Sequence, residues 1–172
     1  MNEWSDSNWE LRHEIIQKCR INALYHRKRE RFFALCDKLS VSLSLIAGAS
    51  ATTDLLGTAD AKAIAGAVVV LVTMPSIVFS WTDKARLHGL LASKFIALEA
   101  DIEGSGVLEE AALHKFKERA LKLDMEEPAQ LSALTRICQN ELSFASGNTS
   151  NMTKISFLKR KFAHFFDFPV KS

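Results

Sequence analysis

Twenty consecutive residues without a charge, AIAGAVVVLVTMPSIVFSWT from Ala63 to Thr82, constrain this chain more than any other stretch. At 1.5 Å rise, a helix of about 20 apolar residues crosses the roughly 30 Å hydrocarbon core of a bilayer. The run is rich in Val, Ile, Leu and Phe and ends in Trp81, with Lys62 on one flank and Asp83, Lys84 and Arg86 on the other. A soluble core helix would show polar residues every third or fourth position. Here only hydroxyls interrupt, so a membrane span is expected.

Upstream, LSVSLSLIAGASATT from Leu39 to Thr53 is also charge-free but has fifteen residues and many serines. Extended through Asp54, Leu55 and Leu56 and backed by Phe32, Phe33, Leu35 and Cys36, it can span with its end charges snorkelling. Ala47, Gly48, Ala49 and Ala51 would let another helix approach closely. With a tight loop at Gly57 to Ala61, the two segments make a hairpin. A soluble helical hairpin buried in a bundle is the alternative, because the first segment is so polar.

Charge sets the orientation. Lys18, Arg20, Arg27, Lys28, Arg29, Arg31 and Lys38 precede the first segment and Lys84, Arg86 and Lys94 follow the second, whereas the loop holds only Lys62. Cationic flanks stay in the cytoplasm, which puts both termini there. The first residues, MNEWSDSNWELR, lack the basic and apolar regions of a cleaved signal peptide. Cys19, Cys36 and Cys138 form neither a disulfide framework nor a zinc spacing, in keeping with a reducing compartment.

Outside the hairpin the pattern is helical. Ser7 and Glu10 make an S-x-x-E capping box that opens a helix near Asn8; continued through the first span, it would be about 65–70 Å long. Trp81, His88, Leu91, Phe95, Leu98 and Ile102 recur at steps of three and four, the seam of a helix pair continuing as a cytosolic stalk. Gly104-Ser105-Gly106 ends that helix. Leu108, Ala112, Phe116 and Ala120 share a face of the next, and a further helix opens at Pro128, carries Leu131, Leu134, Cys138 and Leu142 on one face and closes at Gly147. The fold class expected is therefore all-α: a two-span hairpin with its stalk over 8–104, a cytosolic helical region over 105–147, and a basic aromatic tail over 148–172.

Three segments carry a family resemblance: ALYHRKRERFFALCDKLS entering the first span, SIVFSWTDKARLHGLLASKFIALEADIE leaving the second, and EEPAQLSALTRICQNELSFASG. Across Leu11 to Gly147 the chain resembles the SLATT domains, bacterial two-span effectors of conflict systems that use nucleotide signals. The acidic-Pro pair followed by C-x-N-E (Cys138, Asn140, Glu141) is the most specific part. The resemblance implies an inner-membrane protein that oligomerises into a pore or otherwise disrupts the membrane of an infected cell. It also implies a nucleotide-signalling or sensor protein encoded nearby as a partner.

Enzymatic patterns are not found. His13-Glu14 begins like a zinc helix, but Gln17 stands where H-E-x-x-H needs its second histidine. No phosphate-cradling glycine loop or nucleophile elbow occurs, and neither a cofactor nor a metal is expected. His26 and His88 fall on stalk faces as packed or solvated residues. A net charge of +2 gives no reason to expect nucleic-acid binding. Asn148-Thr149-Ser150 and Asn151-Met152-Thr153 match glycosylation sequons that would be silent in a cytosolic tail.

Two groups of residues are candidate sites. On the second span Gly66, Val69, Thr73, Ser76 and Ser80 form a stripe, and Pro75 removes the hydrogen bond to the Leu71 carbonyl and should kink the helix. Ser40, Ser44 and Gly48 do likewise on the first span. The stripes suit a pore lining in a homo-oligomer or a close helix-packing face. In the tail, Lys159, Arg160 and Lys161 alternate with Phe162, Phe165 and Phe166, a composition for an anionic membrane surface or a protein partner. Three functions remain: a pore-forming effector of antiviral defence, a non-conducting membrane scaffold or sensor, and a soluble helical interaction module.

The charge asymmetry generates a topological prediction. A cysteine placed at Thr58 should react with an impermeant maleimide in spheroplasts while a cysteine placed in the tail is protected. The reverse pattern would overturn the orientation.

Overall fold

No proline or glycine occurs before Gly48, and nothing in that stretch breaks a helix. In a computed structural model, which describes residues 6–52, 58–148 and 152–169, helix α1 runs without interruption over Asp6–Thr52. Ser7 is its second residue and so lies inside the helix, ahead of the expected start. Helices α2 (Ala59–Phe79), α3 (Trp81–Gly104), α4 (Glu110–Glu126), α5 (Ser132–Ala145) and α6 (Phe157–Phe162) follow. No strand occurs among the described residues.

Thr58 opens α2: its side chain accepts from the Ala61 N–H, and Asp60 sits favourably in the first turn. Of the expected loop at Gly57 to Ala61, Gly57 lies outside the described residues, as do Asp54, Leu55 and Leu56; Ala59 to Ala61 are already helical. The expected single span from Ala63 to Thr82 is divided. α2 continues through Pro75 to Phe79, and the interruption comes at Ser80, whose φ of 46° is the only positive value at a non-glycine residue among those described. Its carbonyl accepts from the Lys84 N–H at 3.0 Å, so Ser80 closes α2 and opens α3 at once.

The chain divides into two compact units. Arg29–Leu87 forms one. Met1–Lys28 with His88–Ser172 forms the other, so the division falls inside α1 and α3, and the 105–147 region and the tail fold into one unit with the first half of α1. In the Arg29–Leu87 unit, α1 and α2 are both long and apolar enough to cross a membrane. Their aliphatic faces are uncovered: Leu45, Ile46, Leu71 and Val78 are all about two-thirds exposed or more. Near the end of α2, cations lie over aromatic rings, Arg29 at 4.4 Å from Phe33 and Lys84 at 5.5 Å from Phe79, and Thr82 Oγ1 donates to Asp37 at 3.0 Å.

The second unit has two apolar clusters. In one, Ile15, Ile16, Cys19 and Ala23 of α1 meet Phe95, Leu98 and Ile102 of α3 and Ala120 of α4. The seam expected on α3 is thus buried from His88 to Ile102, while Trp81 is half-buried. The expected face of α4 packs inward, with Ala120 buried in this cluster and Leu108 and Phe116 packed against it; Leu123 joins them, Leu113 is buried as well, and Ala112 is only half-buried. In the other cluster Tyr25 meets Ala133, Leu134, Ile137 and Cys138 of α5 and Ala163 beyond α6.

α5 begins at Ser132, not at Pro128. Its leading N–H groups are taken by distant side chains: Leu131 N–H donates to the Tyr25 hydroxyl at 3.0 Å and Ser132 N–H to Asp167 at 2.8 Å. Leu131, just before the helix, is extended. Gly147 closes α5 as expected, at φ 74°, a conformation glycine adopts without strain.

Burial pushes the Cys19 and Cys138 thiols up to about 12. The thiolate is the reactive form, so at pH 8 neither should react with a maleimide in the native protein and both should after denaturation. Peptide mapping by mass spectrometry checks this; rapid native labelling of Cys138 would show that α5 is not packed on Tyr25.

Candidate membrane groove and buried histidine junction

The expected stripes on the two membrane-length helices meet. Ser40, Val41, Ser44 and Leu45 of α1 line one groove of about 320 Å³ with Thr73 and Ser76 of α2. Ser40 is buried, and its hydroxyl donates across to the Val72 carbonyl at 3.3 Å. That carbonyl is one residue after Leu71, whose own carbonyl loses its helical donor to Pro75. Ser44 donates to the Ser40 carbonyl at 2.7 Å and Thr73 to the Val69 carbonyl at 2.8 Å. Each of these hydroxyls thus has its proton on a backbone oxygen, as a polar side chain in an apolar setting requires, and the oxygen lone pairs are left to the groove.

The glycines do not take part in close packing. A Cβ added at Gly48 or Gly66 would meet nothing within 4 Å, so their small size is not used against the neighbouring helix of the same chain. Ser80 is outside the groove lining, at the left-handed break.

His26 and His88, expected on helix faces as packed or solvated residues, stand face to face in the fold. Both are buried, and their Nδ1 atoms are 2.7 Å apart. A contact this short holds one proton, so one ring donates and the other accepts. On its far side His26 Nε2 lies 3.2 Å from Glu127 Oε1, which is itself 5% exposed, in an orientation that leaves neither atom a well-directed hydrogen bond. Gln130 donates to the other oxygen of Glu127. Tyr25 stands edge-on to His26 with ring centroids 5.3 Å apart, and Phe95 stacks on it at 5.9 Å. One signal could have shown the pair: His88 lies in the apolar seam of α3, and His26 follows Cys19 and Asn22 at helical spacing.

The acidic-Pro and C-x-N-E residues surround this junction. Glu127 faces His26, Cys138 is buried against Tyr25, and Glu141 pairs with Lys28 at 2.9 Å. Asn140 clamps the tail through both ends of its amide, Nδ2 donating to the Thr153 carbonyl at 2.7 Å and Oδ1 accepting from the Thr153 N–H at 3.0 Å. All are structural contacts within one unit. His13 and Gln17 line a separate polar cavity with Arg20 and Arg136, and no cluster of three metal-ligating side chains occurs among the described residues.

The tail residues lie on the same unit. Lys159 donates to the Pro169 carbonyl at 3.2 Å, Arg160 and Lys161 are exposed, and so are Phe162, Phe165 and Phe166. The sequons lie partly outside the described residues. No protein-family model, curated protein or solved structure matches this chain. The fold and groove therefore define a class only: an all-helical protein with two helices able to cross a membrane.

Replacing His26 with alanine strands His88 and Glu127 in a closed interior and should cost about 3 kcal/mol, the range for a buried polar group deprived of its partner. Thermal unfolding of the detergent-solubilised protein measures it. In a double-mutant cycle with Glu127→Gln the two losses should be non-additive by about 1 kcal/mol or more; strict additivity would show that the two side chains do not interact.

Proposed function

We propose that the protein is a membrane effector of bacterial antiviral defence, a homo-oligomer that forms a pore or otherwise disrupts the inner membrane, with both termini in the cytoplasm. The observation that carries this reading is the convergence of Ser40, Ser44, Thr73 and Ser76 on one groove, while the other faces of the same helices present exposed aliphatic side chains. Lipid or further copies of the chain would cover the aliphatic faces. A single pair of helices cannot enclose a water path, so conduction needs several copies with their hydroxyl grooves turned inward. The resemblance to SLATT domains supplies the defence setting and the nucleotide-signalling partner. Carbonate extraction distinguishes this reading from a soluble helical module.

A second reading is a non-conducting scaffold or sensor. The hydroxyl protons of Ser40, Ser44 and Thr73 are already spent on backbone carbonyls, which favours a packing role for the groove.

Replacing Ser44, Thr73 and Ser76 with leucine decides between them. Ser80 is kept, because a leucine in its left-handed conformation would be strained whatever the groove does. The pore reading expects normal membrane level and oligomer size with loss of dye-reported depolarisation on induction, since leucine favours dewetting. The packing reading expects a lowered assembled yield. Full depolarisation by a normally assembled triple variant would remove this groove as the conduit.

A further inference from the structure

The residues after Asn151 are fastened to the body at three places. Asn140 clamps Thr153, Ala163 is fully buried against the Tyr25 cluster with Ile155 and Phe168 packed beside it, and Asp167 accepts from Ser132 N–H at the start of α5. These attachments use the few apolar side chains that face inward and the only acid between Glu141 and Ser172. What they leave outward is selected. Phe157, Leu158, Phe162, Phe165 and Phe166 are between 42% and 75% exposed, and Lys154, Arg160 and Lys161 are exposed among them. The patch reaches onto α5, where Phe144, Asn140 and Glu141 line a groove of about 260 Å³ with Met152, Ile155 and Arg160.

We infer that this C-terminal segment is an amphipathic docking surface for an anionic bilayer. Large rings standing in water on a fixed backbone need a cover, and cations interleaved with them match an apolar surface that carries negative headgroups. The only side-chain carboxylate between Glu141 and Ser172, on Asp167, accepts from the Ser132 N–H, and Lys154, Lys159, Arg160 and Lys161 outnumber it, so the segment is net positive. The backbone is already ordered, so docking forfeits little chain entropy. The inference rests on the membrane reading above, because two membrane-length helices keep the chain at a bilayer.

The test uses the full chain carrying Cys36→Ser and Leu158→Cys, with an environment-sensitive fluorophore on the new cysteine; Cys19 and Cys138 are buried and stay silent. Incorporation into nanodiscs reports the membrane reading on its own. The label then reports the segment. In discs with about one-third phosphatidylglycerol it should be blue-shifted and shielded from iodide, and in phosphatidylcholine discs solvent-exposed. Lys154→Gln, Arg160→Gln and Lys161→Gln together should weaken surface binding about a hundredfold, at roughly fivefold per charge. Lys159 is retained because it holds the Pro169 carbonyl. An incorporated protein whose label stays solvent-like in anionic discs overturns the inference. So does shielding that is the same in both lipids, or that appears in detergent and rises with protein concentration, which would assign the patch to a second copy.

Discussion

Two imidazoles and a carboxylate closed off from water at His26, His88 and Glu127 fix α1, α3 and the segment after α4 at one level. A polar group buried without a partner costs a few kcal/mol, and an apolar seam can slide by a turn at much smaller cost. The histidine contact therefore specifies which turn of α1 faces which turn of α3, a registry role of the kind buried polar residues play in coiled coils. Both helices leave this unit close by in sequence, α1 after Lys28 and α3 before His88. The surrounding contacts depend on that level. Tyr25, one residue before His26, caps the approach to α5, and Lys28, two residues after it, pairs with Glu141.

Short-range features were legible in the sequence. The periodic seam on α3 and the glycines near the ends of α3 and α5 act over one or two turns, and each produced the element expected, while the charge-free run became a helix that breaks at Ser80. The misplaced features depend on residues far away in the chain. Pro128 is a good first-turn residue, yet α5 starts at Ser132 because Tyr25 and Asp167, respectively 106 and 35 residues from their partners, hold the preceding N–H groups. Likewise Leu113, absent from the expected face of α4, is fully buried beside it, because how far the packed face extends is set by what lies against the helix.

Ser80 illustrates a different limit. Within an apolar run, Pro75 is the obvious place for a helix to yield, but proline costs one hydrogen bond and a local clash that a helix can absorb. A left-handed serine has no sequence signature, because local propensity favours glycine or asparagine there. The candidate site was legible to a similar depth. Each stripe of hydroxyls follows from helical spacing, whereas their meeting in one groove depends on how α1 is rotated against α2, which Ser40 and the Val72 carbonyl fix.

That interhelical hydroxyl bond also says how the groove can behave. Interhelical hydrogen bonds in apolar surroundings contribute about 0.6 kcal/mol on average, little more than thermal energy. The bond therefore orients the two helices more than it binds them, and Gly48 and Gly66 contribute no close approach. Under the proposed oligomeric reading, turning the Ser40 hydroxyl away from Val72 costs little beside the burial of the open aliphatic faces against lateral neighbours. On that reading the same groove serves as a packing face in one arrangement and as part of a polar lining in another, and the balance is set by how many neighbouring helices bury Ile46, Leu71 and Val78.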